Sequence, residues 1–488
     1  MKKIICMLMA VCLMTAGVSA LADGGPGNGG TPPQGTPPGG FGGGGTPPDG
    51  APGEGGGFGG GTPPEGAPGE GGGFGGGTPP GGRTSSFEYT AAAKITEAAE
   101  ETDQTYASDT ADESALIVNT EDAVTLTNPT VTKTGDSNGG DNCNFYGLNA
   151  GVLVMGGSTT TITGGTIETS ASGANGVFSY GGNGASNGAG GDGTTVIISD
   201  TVITTTGSGS GGIMTTGGGV TYATNLTVTT EGGSSAPIRT DRGGGTVVVD
   251  GGTYTANGLG SPAIYSTADI TVKNATLISN LSEGVCIEGM NAITLENCDL
   301  TANNTKCNGN ATFYDTIMIY QSMSGDADSG TSSFTMTGGS LTSKSGHMFH
   351  VTNTHAVITL SGVELINEGS DVLISVCDDG WGGAGNTAEL IADAQTMEGT
   401  LLGGDNSTLT LTLKNGSAFT GTVSGEITNA KGATVSTEAG TVNVALEAGS
   451  TWTLTADTYI TSFEGDASGV IGNGYTLYVN GTALEGIQ

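Results

Sequence analysis

From about Ser114 onward the chain repeats one pattern of apolar and polar positions. Runs of three to five β-branched or aliphatic residues alternate with Gly, Asn, Asp and Ser: LIV, AVTLT, VLV, TTTIT, VIIS, VITTT, LTVTT, TVVVD, ITVKN, AITLE, FTMT, VITLS. Strands this short, bounded by turn residues, predict an all-β chain. Their period selects the kind. GSPAIYSTADITVKNATLIS (260–279) and SEGVCIEGMNAITLENCDLT (282–301) each hold an apolar anchor, a second strand, and a third strand after Asn. First-strand anchors Ile213, Ile238 and Ile264 are 25 and 26 residues apart. Second-strand anchors Val248, Val272 and Leu295 follow at 24 and 23, and third-strand anchors Val228, Tyr254, Leu277 and Leu300 at 26, 23 and 23. Three strands sharing one period of about two dozen residues are one coil of a β-solenoid. A coil cannot bury its apolar face alone, so successive coils must stack.

On these strand triplets and this period, the stretch 115–400 resembles the secreted right-handed parallel β-helix proteins of the pectate-lyase-like fold. Within that group it looks most like non-catalytic bacterial relatives, adhesin-like and carbohydrate-binding. The resemblance rests on no catalytic motif. Residues 401–488 are expected to continue as a smaller C-terminal β module or cap, because NGSAF (415–419) echoes AGSTW (448–452) 33 residues later. An open solenoid end invites edge-to-edge aggregation unless covered. One segment breaks the pattern: AAAKITEAAEETDQ (91–104) has a helix-like composition, and it is expected to form a capping helix or an irregular first coil.

The N-terminus changes the picture. MKKIICMLMAVCLMTAGVSALA has a basic start, an apolar run and an Ala20-Leu21-Ala22 cleavage pattern, which predicts a secretory signal peptide (1–22) removed near Ala22. Residues 23–86 follow as a Gly/Pro-rich linker. It contains 13 of the chain's 16 prolines and repeats GTPPEGAPGEGGGFGG, with Thr46, Thr62 and Thr78 spaced by 16. Such a segment lacks the apolar mass to offset its ordering entropy, so it reads as a tether. The right-handed parallel β-helix is assigned to 87–400. No later apolar run is long enough to span a bilayer. The chain is therefore expected to be secreted or cell-surface.

Charge narrows the partners. The chain carries 47 acidic residues against 12 Lys and Arg, a formal net charge of −35. Such a surface repels nucleic acid and anionic lipid and favours cations and neutral partners. Five cysteines lie beyond the leader, Cys143, Cys286, Cys298, Cys307 and Cys377. An odd number with no zinc spacing predicts small buried residues or one incidental bridge.

Candidate chemistry follows from the alternation. With Ile213, Ile238, Ile264 and Val285 inward, the outward column carries Met214, Arg239, Tyr265, Cys286, Tyr320 and His350, flanked by Asp241, Thr267, Glu288 and Thr352. Only three arginines exist, and Arg239 and Arg242 flank Asp241. Rings that stack on sugars, with Arg and carboxylates to bond hydroxyls, suit carbohydrate. The predicted carbohydrate site is Arg239, Asp241, Arg242, Tyr265, Glu288, Tyr320 and His350. The plainer reading is that the arginines neutralise local acids as surface pairs, worth about 0–1 kcal/mol each. His347, His350 and His355 match no metal motif. Asp136 and Asp141 in DSNGGDNCN, and Asp326 and Asp328, lie in Gly/Ser-rich turns and are candidate calcium ligands, without matching an EF-hand loop. Outward Thr pairs such as Thr227/Thr229 follow from strand preference, an ice-binding face being the alternative.

The expected function is non-catalytic binding of extracellular polysaccharide or host glycan. A calcium-dependent pectate-type lyase is the first alternative. Its family uses an Arg or Lys base, but here the nearest lysine, Lys273, has no acid cluster; hydrolysis would need two opposed carboxylates, a spacing that Asp241 with Glu288 could meet, as could many other acidic pairs in so acidic a chain. A structural surface rod is the second alternative.

Overall fold

The structure is a computed structural model that describes residues 87–183, 190–382 and 385–488. The expected signal peptide (1–22) and the expected Gly/Pro linker (23–86) lie outside the described residues. What is described is a parallel β-helix. Its coils contribute strands to a 15-stranded parallel sheet, here the first sheet, and to a 20-stranded second sheet that carries the other two strands of each coil. The first sheet runs through Ile213–Thr216, Ile238–Thr240, Ile264–Ser266, Val285–Glu288, Asp315–Tyr320 and His347–Thr352. Ile213, Ile238, Ile264, Val285, Ile317 and Phe349 stack in register inside it. Each is at most 1 % exposed, so each side chain contributes about 1.5–3 kcal/mol by burial.

Third-strand anchors Val228, Tyr254, Leu277 and Leu300 also stack in register. The second-strand anchor differs by one residue. Val249, not Val248, pairs with Val272 and Leu295. VVV is apolar at both parities, so sequence alternation alone cannot choose between its members.

Two side-chain columns hold the corners. Between second and third strands the chain bends through one left-handed residue: Asp103, Asn128, Asp200, Asn225, Asn274 and Asn297 all have φ between 52° and 54°. Asn tolerates this region better than other non-glycine residues. The amides bond from coil to coil, Asn128 to Asp103 at 2.6 Å, Asn225 to Asp200 at 2.7 Å and Asn274 to Asp250 at 2.7 Å. At the corner before the first sheet the Oγ atoms of Ser210, Ser235 and Ser261 accept the backbone N–H of Ala174, Ser210 and Ser235 at 2.9–3.0 Å. Buried backbone donors at these turns are thereby satisfied.

The helix-like segment 91–104 is not helical. It forms strands Thr90–Ile95 and Ala99–Thr102, and Ala93 pairs with Leu116. Pairing to a neighbouring coil outweighs a propensity worth only tenths of a kcal/mol per residue. The charged residues of this coil sit on a sheet edge, where charge discourages further pairing. Beyond residue 400 the first sheet continues through Ala418–Ser424, Thr451–Leu454 and Val470–Ile471. The NGSAF and AGSTW echo is a register match: Phe419 pairs with Trp452, their rings 6.0 Å apart. A small sheet of Thr458–Ile460, Leu477–Val479 and Thr482–Ala483 lies near the C-terminus.

Candidate functional site

The outward column of the first sheet is not an open surface. Every residue of Ile213–Thr216, Ile238–Thr240, Ile264–Ser266, Val285–Glu288 and Asp315–Tyr320 is buried. Insertions between coils fold over this face. The segment 134–151 carries the short helix Asp141–Tyr146, whose Phe145 is buried. Residues 303–314, 321–330, 377–382 and 425–440 supply the rest. Phe313 and Ile427 pack with Val372, Cys377 and Leu402, while Ala311 and Trp381 pack with Tyr265, Cys286, Met318 and Tyr320. The expectation of a flat, solvent-facing binding strip is therefore corrected. The sequence did carry a signal for the cover: IMTT, VCIE and TIMIY are apolar at both parities, as strands buried on both faces are.

The column order is corrected at one place. Met214, Arg239, Tyr265, Cys286, Met318 and His350 align. Tyr320 lies two residues further on, between Glu288 and Thr352. The long insertion at 303–314 hid this register.

Within the covered layer the arginines are fully engaged. Arg239, 4 % exposed, forms a 2.8 Å ion pair with Asp241 and donates to Asn144 Oδ1 at 3.3 Å and to the Ser234 carbonyl at 3.1 Å. Its guanidinium lies 5.7 Å from the Tyr265 ring centroid. Asp241 also accepts the Arg242 N–H at 2.9 Å. Burial pushes the Asp241 pKa up to about 7, against the pull of Arg239. Arg242 stacks 4.2 Å over Phe145 and pairs with Asp326 through Nε at 3.1 Å. Local charge pairing thus accounts for both arginines, Arg239–Asp241 as a buried pair and Arg242–Asp326 as a half-buried pair that fastens the 321–330 loop.

Glu288 is the second node. Oε2 accepts from Tyr265 OH at 2.6 Å and Tyr320 OH at 3.0 Å, and Oε1 accepts from Ser322 and from Ser324 at 3.1 Å. Burial raises its pKa despite these donors, and burial, with Glu288 next, holds both tyrosines well above the usual phenol range. Asp241 and Glu288 have all four carboxylate oxygens occupied by protein donors, and both are at most 3 % exposed. As they stand, they offer a glycoside bond no open oxygen.

His350 heads a third arrangement that includes two residues sequence reasoning missed, Ser375 and Asp379. His350 Nδ1 is 2.8 Å from Ser375 Oγ, its Nε2 is 3.4 Å from Asp379, and its ring lies 4.6 Å from Phe313. His347 Nδ1 reaches the same Ser375 Oγ at 2.8 Å, and burial lowers the His347 pKa to about 3. Burial raises the Asp379 pKa, but His350, Thr312 and the Gly380 N–H more than offset it and keep it below the usual value. A serine shared by two imidazoles and 0 % exposed is a clamp between coils, not an accessible nucleophile.

The four expected calcium ligands do not converge. Asp136 accepts the Ser172 N–H at 2.8 Å, Asp141 starts the short helix, Asp326 is held by Arg242, and Asp328 is exposed elsewhere on its loop. Among the described residues no three His, Cys, Asp or Glu side chains form a metal-holding group. All five described cysteines are free, and only Cys307 is less than fully buried.

Open space lies beside the cover. A groove of about 400 Å³ crosses the turns that leave the first sheet, lined by Thr246, Thr267, Asp269, Met290, Asn291 and Asp328. These residues come from three successive coils and the 321–330 loop, whose other residues bind Glu288 and Arg242. Thr246, Asp269, Met290 and Asp328 are exposed. No described helix is long and apolar enough to cross a membrane. No family model matches the chain, and neither a curated protein nor a solved structure matches it.

Proposed function

We propose that this is an exported, non-catalytic β-helix of the pectate-lyase-like group that binds extracellular polysaccharide, and that the ligand lies in the Asp269–Met290–Asp328 groove and not on the buried first-sheet face. The observation that carries the reading is the groove's composition. Two exposed carboxylates, an amide and hydroxyls can bond sugar hydroxyls, while Met290, 54 % exposed, offers an apolar contact for a sugar face. Such a groove spans roughly 10–15 Å at about 4.8 Å per coil, the scale of a short run of sugars. Its carboxylates, with the net charge of −35, favour neutral or amino-bearing glycans and oppose polyuronates. That weighs against the pectate-lyase alternative. The network beneath serves this reading as a rigid support for the 321–330 loop.

Glycan-array binding of the full chain tests it, repeated with Asp328→Ala and Asp269→Ala. Retention of a neutral or amino-bearing glycan, lost in either variant, supports the proposal. Binding unchanged in both variants moves the ligand elsewhere. Absence of binding to any glycan leaves the surface rod, which the uninterrupted stack of parallel strands favours.

A further inference from the structure

At the start of the first-sheet strands, two acidic side chains face each other across adjacent coils in a dry setting. Val285 pairs with Ile317, and the Gly284 N–H donates to the Thr316 carbonyl at 2.8 Å. Extending that register by two residues sets Glu283 against Asp315. Glu283 is 5 % exposed and Asp315 1 % exposed. Neither carboxylate oxygen of Asp315 has a hydrogen-bond partner. Among the described residues neither acid forms an ion pair. A naked buried carboxylate beside a second one is among the costlier arrangements a fold can hold.

An independent observation points into the same spot. Asn304, the second residue of the 303–314 insertion, is 1 % exposed, and neither atom of its side-chain amide has a partner. It lies beside Glu283, whose carboxylate also accepts from Ser282 Oγ. The insertion that covers the first sheet therefore brings the Asn304 amide to a carboxylate pair in which Asp315 has no donor at all. Lys431, the cation near this cluster, instead reaches the Ala311 carbonyl at 3.5 Å. Burial, then Glu283 and Asp379, pushes the Asp315 pKa well above the carboxylate range, which shows how poorly the protein alone supports the charge.

We infer that Glu283, Asp315 and the Asn304 carbonyl form a buried site for one divalent cation of the calcium type, which ties the 303–314 insertion to two adjacent coils. The donors are all hard oxygens, which select calcium, magnesium or manganese over zinc or copper. Two carboxylates match a charge of +2. Calcium, which accepts variable ligand numbers and flexible geometry, suits donors held by separate elements better than magnesium, which demands a near-ideal octahedron and gives up its waters reluctantly. With only two acids the site falls below a three-residue metal pattern, and it shares no residue with the acidic turns that the sequence suggested. It stands apart from the glycan reading, since the groove and these residues have no member in common.

The full chain, stripped with EDTA and dialysed into calcium-free buffer with 0.15 M KCl, is titrated with CaCl2 and separately with MgCl2. Bound metal and melting temperature are both read. Expected is one calcium per chain bound more tightly than the surface acids bind it, with weaker magnesium binding and a melting temperature that rises by mass action on the folded state. Asp315→Asn removes the tight ion and its thermal shift, whereas Asp328→Asn keeps both. If Asp315→Asn does not fold, Asn304→Ala with the same two readings decides. The inference is overturned if the parent binds no stoichiometric calcium, or if the variant binds it equally. A parent without calcium response that melts below Asp315→Asn at pH 8 identifies instead a proton-sharing carboxyl pair.

Discussion

Arg239→Met separates the charge from the packing in the covered layer. In the parent, Asp241 has its pKa pushed up to about 7 from 3.8. Its folded-state pKa is raised, so its contribution to stability is full below about pH 4 and is lost as pH rises through 7. Above 7 the carboxylate is ionised and Arg239 is its partner. Removing Arg239 then strands a buried charge, a loss of about 3–5 kcal/mol, to which the Tyr265 contact adds about 0.5–1 kcal/mol. Below pH 6 Asp241 is largely protonated, and the same substitution costs only the packing and neutral bonds, about 1–2 kcal/mol. Without Arg239 the Asp241 pKa rises further, so the penalty grows by about 1.4 kcal/mol per pH unit above 7 until that new value is reached. Urea unfolding followed by tryptophan fluorescence measures this, since Trp381 packs 4.7 Å from Tyr320 in the same layer. At constant slope the midpoint difference is expected to be larger at pH 9 than at pH 6 by about 2–3 kcal/mol. Asp241→Asn added to Arg239→Met should erase that pH dependence. A penalty equal at both pH values, or a double variant no better than the single one at pH 9, refutes the charge argument and leaves only packing.

Other outcomes follow from the same geometry. The parent itself is expected to melt higher at pH 5 than at pH 8 even in 1 M NaCl, because Asp241 and Glu288 both have raised pKa values and salt screens only exposed charges; a higher melting temperature at pH 8 in that salt contradicts this. Glu288→Gln leaves the hydroxyls of Tyr265, Tyr320, Ser322 and Ser324 with a poorer acceptor, and hydrogen exchange across 321–330 should quicken at pH 7; unchanged exchange would show that Arg242–Asp326 holds the loop alone. Asn225 has φ 52°, so Asn225→Gly should cost little while Asn225→Val costs about 1–3 kcal/mol in a thermal melt; equal costs would dismiss the left-handed bend as the cause. Burial raises the thiol pKa at all five described cysteines, but Cys307 alone is only half-buried, so peptide mapping after native alkylation should find Cys307 modified before the other four.

The fold was legible because a solenoid writes its period into the chain. Spacings of 23–26 residues are the inter-coil registers themselves, and two of the three spacing series fall on paired positions throughout. The miss at Val248 came from a run with no polar member to set its parity. The miss at 91–104 came from composition, which an edge coil needs for solubility and a helix needs for propensity. The site was less legible. Which residues share the outward column follows from alternation, and Arg239 beside Tyr265 is where stacking put it. What covers that column does not follow, because insertions have no period. Asn144, Phe145, Asp326 and Trp381 reach the first-sheet face from loops up to 95 residues away in sequence, and no local pattern records such meetings.

That cover has a mechanical meaning. In a bare stack each coil touches only the next, so strain at one coil can spread as a local fray and terminal coils can peel singly. Here Arg242 reaches across 84 residues to Asp326, Thr216 donates to the Phe145 carbonyl 71 residues back, and Lys431 meets Ala311 from 120 residues away. These ties act as a splint laid along the stack. A pull or a thermal fluctuation that opens one middle coil must also break contacts belonging to coils several steps distant. The coils joined by these ties should therefore yield together or not at all, and fraying should be confined to coils that no such tie joins.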